Sequence, residues 1–141
     1  MIEALMKNGG HRVDYLNDHA RGRPGAFAFY VCGELPKDAI YSAGAKRNLY
    51  AGLSLIQRTL GPDNLVAVYL DVNSSKNIHR PAYMRMKSDL RSGMFRRIFM
   101  LEASQVMAGS EASRDLSELY YEVGGFDLLT YEQGAFMPVL L

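Results

Sequence analysis

A single cysteine, Cys32, is present in the whole chain, so no internal disulfide can close and no thiol pair is available to a metal. A reducing compartment suits such a chain, and the expected location is cytoplasmic. Net charge is almost absent as well. Sixteen Lys and Arg stand against fifteen Asp and Glu, which gives no bulk attraction to nucleic acid or anionic lipid, so any such partner must be met by a local patch. No apolar run reaches the roughly 20 residues of a membrane span, and the interrupted start MIEALMKNGGHRVDY is no signal peptide. No membrane contact is expected. Internal repeats and low-complexity segments are also missing. His11, His19 and His79 show neither ligand spacing nor a paired acid, so they read as loop histidines and no metal or other cofactor is expected.

What is present is enough apolar sequence, 48% of 141 residues, for one domain with its own core. Four β-rich apolar runs stand out: residues 26–32, 65–71, 97–101 and 126–131. Their continuous apolarity predicts strands buried on both faces. Three helical stripes separate them. Leu49, Leu53, Ile56 and Leu60 mark a helix over 46–60, stopped by Gly61-Pro62. Tyr83, Met86 and Leu90 mark another over 81–92, with Pro81 at the favoured first position. Ala112, Leu116, Leu119 and Val123 mark a third over 110–123, closed by Gly124-Gly125. Strand and helix alternating in this way predict an α/β fold with a mainly parallel sheet of four to five strands flanked by helices in three layers. Residues 1–25, with one helical turn at Ile2, Leu5 and Met6 and turn chemistry at RGRPG, read as an N-terminal surface extension ahead of a domain spanning 26–141.

In such sheets the working residues lie at the carboxyl ends of the strands. The run YLDVNSSKNIHRPAYMRMKSDLRSGMFRRIFMLEAS places Asp71 at one strand end, Ser74-Ser75 in the loop, Arg80-Pro81 before a helix, Gly93 after it, and Leu101-Glu102 at the next strand end. In this order and spacing the run resembles the catalytic domain of the serine recombinases, the resolvases and invertases. The resemblance implies a resolvase-like domain, which in that family self-associates and cuts DNA with a serine held among arginines. The family's first strand ends Y-x-R-V-S. Aligned on Tyr30, the present chain puts Cys32 at the arginine and Glu34 at the attacking serine. Further on, Ala103 and Val106 stand near two more of the family's arginines.

Phosphoryl transfer needs positive groups around the transferred oxygens. Of the family's cations only Arg80 is kept, and the candidate site at the carboxyl edge becomes Glu34, Asp71, Arg80 and Glu102. Three carboxylates facing one arginine disfavour a phosphodiester. The expected function is therefore a non-catalytic binding or assembly module of degenerate serine-recombinase type, a pseudoenzyme that forms a homodimer, with no catalytic residue assigned. Two alternatives stay open: an active DNA-strand-transfer domain that recruits another serine, and a Mg²⁺-dependent phosphoryl-transfer or hydrolytic enzyme using the three carboxylates.

Each residue also has a plainer reading. Cys32 is a small buried hydrophobe, Arg80 pairs with Asp71 at a helix start, and Ser74-Ser75 makes a loop turn. Arg80, Arg85, Lys87 and Arg91 are candidate phosphate contacts for DNA, although helical spacing also makes them the outer face of an amphipathic helix diluted by Asp89. The apolar tail FMPVLL either completes the core or docks on a second subunit.

Overall fold

The computed structural model describes residues 9–33, 43–132 and 135–139. Its elements run β1 (His11–Tyr15), a short 3₁₀ turn (Asp18–Ala20), β2 (Phe27–Gly33), α1 (Ala43–Thr59), β3 (Leu65–Val72), α2 (Pro81–Arg91), β4 (Arg97–Met100), α3 (Ser104–Met107), α4 (Ser110–Val123), β5 (Asp127–Glu132) and β6 (Ala135–Pro138). The expected strands and helices all form, within three residues of the sequence-based bounds. The α/β class holds.

The sheet has six strands in the order β1-β3-β2-β4-β5-β6. Its four central strands, β3, β2, β4 and β5, are parallel, whereas β1 joins β3 and β6 joins β5 antiparallel. The sheet is thus mixed and wider than the four to five strands expected. Two short strands account for the difference: β1, HRVDY, is too polar for an apolar-run criterion, and β6, AFMP, is only four residues long and carries a proline. Residues 11–15 belong to the sheet, which corrects the reading of 1–25 as a surface extension: Val13 packs against the core, and His11 to Tyr15 register against Asp71 to Ala67. The turn proposed at Ile2, Leu5 and Met6 lies outside the described residues.

Strand alternation sorts the core into two halves. One face of β2 and β3 presents Phe27, Phe29, Val31, Val68 and Leu70 to α1, which returns Leu49 and Ile56. The approach is close: a methyl group on Gly52 of α1 would run into the ring of Phe29. The other face presents Tyr30, Cys32, Ala67 and Tyr69 to α2 and α4, which supply Tyr83, Met86, Leu90, Leu116 and Leu119. Helices therefore lie on both sides of the sheet, and the crossovers reverse direction between β2 and β4. In sheets of this kind ligands bind beyond the carboxyl ends of the strands that flank such a reversal. At the other end of the chain, Val139 packs on the core and Met137 is half exposed; the last two residues of the apolar tail lie outside the described set.

Candidate anion site at the carboxyl edge of the sheet

Asp71 is the penultimate residue of β3 and is fully buried. Its Oδ1 accepts the backbone N–H of Ala82 at 2.9 Å, and its Oδ2 accepts that of Tyr83 at 2.8 Å. These are among the orphan donors of the first turn of α2, where Pro81 has no N–H to offer and no side chain from the capping position serves. A carboxylate from the neighbouring strand thus caps the helix and faces the positive end of its dipole. The phenol of Tyr30 donates a third bond to Oδ2 at 2.8 Å. With three protein donors on two oxygens, Asp71 is committed to structure and is not presented to a metal.

Arg80, one residue ahead of α2, is 0% exposed. The expected ion pair with Asp71 does not form, because the carboxylate is occupied by α2 and the guanidinium is turned toward the β3–α2 loop. Its Nη1 donates to the carbonyl oxygens of Ser75 and Ser74. Its face lies 4.3 Å from the ring centroid of Tyr83 and 5.6 Å from that of Tyr30, and those two rings meet edge to face. Nε and Nη2 are buried with no hydrogen-bond partner among the described residues. A charged donor left so is costly unless an acceptor reaches it.

Cys32 ends β2 beside this guanidinium. Its backbone N–H donates to Oε1 of Gln105 in α3 at 3.1 Å, its thiol donates to the carbonyl of Asn73 at 3.4 Å, and the Ser75 hydroxyl donates to its sulfur at 3.8 Å. Burial pushes the thiol pKa up, with Arg80 and the Ser75 hydroxyl opposing. The thiol is held neutral and is no activated nucleophile. Ser75, whose carbonyl accepts from Arg80, spends its hydroxyl proton on that sulfur.

The other expected site residues disperse. Glu102 is exposed and accepts from the Ser104 hydroxyl at 3.3 Å, away from the buried Asp71; Glu34 lies outside the described residues. Among the described residues no group of three or more His, Cys, Asp or Glu side chains is placed to hold a metal ion. The proposed phosphate contacts do not form one surface either. Lys87 is buried and pairs with Asp115 of α4 at 2.8 Å, Arg91 pairs with Glu122 at 2.7 Å, and Arg85 points to β1, where its Nε donates to the Tyr15 hydroxyl at 2.7 Å. Of these four cations, Arg80 is the one turned toward the β3–α2 loop.

Sequence reasoning missed the tyrosines. Tyr30, Tyr69 and Tyr83 are buried apolar bodies whose hydroxyls each meet a carboxylate: Asp71, Asp89 at 2.6 Å and Asp115 at 2.7 Å. Asp89 also accepts from Tyr15 at 2.7 Å, tying β1 to α2. Burial, followed by the carboxylate partner, raises the pKa of Tyr69 and of Tyr83 well above the ordinary value; burial likewise raises that of Tyr30. Aromatic positions on strands and helices read as core, and nothing in their spacing marks which hydroxyl will find which acid. Comparison of the chain with protein-family models, with curated proteins and with solved structures returned no match.

Proposed function

We propose that this chain is a doubly wound α/β binding module of degenerate serine-recombinase type, which holds an oxyanion such as a phosphate group at Arg80 and carries out no strand transfer. One observation carries the reading: a fully buried guanidinium, walled by two tyrosine rings, with Nε and Nη2 unpartnered. That pair of N–H groups is the edge of the fork that receives two oxygens of a phosphate or carboxylate. Arg80 follows β3 and lies beside Cys32 near the end of β2, on the carboxyl side of the sheet, where ligands of such folds bind. The order Asp71, Ser74-Ser75, Arg80-Pro81 supports the family resemblance, and the capping role of Asp71 explains why an acid would be kept there without chemistry.

The absence of catalysis is argued from charge and nucleophile. Of the four candidate phosphate contacts only Arg80 serves this site, short of the several positive groups that phosphoryl transfer uses, the Cys32 thiol is held protonated, and the Ser75 hydroxyl donates to it. The module serves assembly as a homodimer, as the family resemblance implies. Calorimetric titration with inorganic phosphate and with a short DNA duplex at low and moderate salt tests the reading. Saturable phosphate binding that disappears in Arg80→Met is expected. No heat from phosphate, or binding that survives the substitution, overturns the anion site; a covalent protein–DNA adduct on a nicked suicide duplex overturns the non-catalytic reading.

A further inference from the structure

We propose that β1 is a self-pairing edge, through which two copies of the chain join their sheets across a two-fold axis centred on Val13. Among the described residues the strand lies at the end of the sheet and pairs on one side only, with β3. Hydrogen-bonding direction alternates along an antiparallel strand. Leu16 donates to Val66 and Gly10 accepts from Val72, so the even-numbered residues of β1 face β3, and the backbone N–H and C=O of His11, Val13 and Tyr15 face outward. Those three residues supply the acceptors and donors of a ladder with no partner among the described residues.

The sequence of the strand, HRVDY, decides what fits there. Pairing it antiparallel with itself about Val13 sets Val13 against Val13 and His11 against Tyr15 of the second copy, three residue pairs whose outward groups are in phase. It also sets Arg12 against Asp14 twice. The neighbouring in-phase registers, centred on Arg12 or on Asp14, put like charges directly opposite each other, which is unfavourable. An edge guarded against pairing usually carries charge of one sign or a proline. This one carries opposite signs placed symmetrically about an apolar centre, which is self-complementary, as an isologous contact requires. Within the monomer Arg12 and Asp14 lie 2.8 Å apart, so both are already held on the face opposite α2.

The α2 face of the strand agrees. His11, Val13 and Tyr15, with Pro81, Met84 and Arg85 of the α2 region, line a groove of about 430 Å³, and Met84 is 46% exposed. A two-fold perpendicular to the sheet brings both grooves to one side of the seam. There the two Val13 side chains form the floor, and Met84 of each copy covers it. This inference does not rest on the anion site, since Arg80 is not among the residues that line this groove.

Sedimentation velocity of the full chain across a concentration series, with far-UV circular dichroism on each variant, tests it. The unaltered chain is expected to dimerise. Val13→Pro removes an outward N–H and leaves the β3 ladder intact, since proline is tolerated at such edge positions; it should keep the fold and lose the dimer. Arg12→Asp and Asp14→Arg, each alone, should be monomeric, yet a mixture of the two should form a heterodimer, and the double exchange should restore self-association. Arg80→Met should leave association unchanged. A monomer at every concentration, a dimer indifferent to Val13→Pro, or single charge variants that do not complement on mixing overturns the proposal. In the second case a homodimer stands but uses another face.

Discussion

Arg80→Met is the perturbation whose sign the geometry decides. The substitution keeps a long unbranched stem between Tyr30 and Tyr83 and removes the guanidinium. Lost are the Nη1 bonds to the Ser74 and Ser75 carbonyls, about 2 kcal/mol for a charged donor, and the contact with two tyrosine rings, about 1–2 kcal/mol. Relieved are two buried donors with no acceptor, about 1–3 kcal/mol each. The two sides nearly cancel, so the variant should lie within about 2 kcal/mol of the parent, against the 3–5 kcal/mol typical of breaking a satisfied buried pair. For a chain of this size that is a Tm change of at most about 6 °C in phosphate-free buffer. Phosphate separates the two proteins. At 100 times Kd a ligand stabilises by about 2.7 kcal/mol, so the parent should gain about 8 °C and the variant nothing. Scanning calorimetry in paired buffers, with chloride matched for ionic strength, reads both numbers. A variant more than 3 kcal/mol less stable without phosphate, or equal phosphate increments in both, refutes the reasoning.

Asp71→Asn should cost about 2–3 kcal/mol, because one oxygen becomes an amide donor facing the first turn of α2 and the capping charge is lost; urea unfolding measures it. Alkaline pH should weaken the fold. Tyr69 and Tyr83 have folded pKa values raised above their ordinary value, so their contribution is complete below about pH 10 and declines above it, by up to about 1.4 kcal/mol per pH unit for each. Tm measured from pH 8 to 11.5 should bend downward near pH 10, and Tyr69→Phe should lessen the slope. Gly52→Ala should destabilise by about 3 kcal/mol through the clash with Phe29, although alanine is the better helix former; a gain in stability would show that α1 can shift outward.

The central fold was legible because its signals are redundant. Each parallel strand is buried on both faces and reads as an unbroken apolar run, and Pro81, Gly61 and Gly124 mark helix ends in the manner their backbone preferences dictate. β1 was not legible. HRVDY alternates too weakly to compete with the turn residues around it, and its place depends on Tyr15 finding Asp89, 74 residues away. At the carboxyl edge, the sequence expectation paired Asp71 with Arg80. Their relation was misjudged because the preference of an acid for its nearest arginine gave way to two backbone donors in α2. No local pattern reports that choice, since it depends on where the helix start meets the strand end.

The Tyr15–Asp89–Tyr69 clasp has a practical bearing on where this protein can be cut. A version trimmed to begin at residue 26 would strip the outermost ribbon from the sheet, unzip the whole flank of β3, and leave a half-sheltered acid with one phenol in place of two. Such a fragment would expose a bare, sticky seam to solvent, and its tendency to clump would say nothing about the behaviour of the intact molecule.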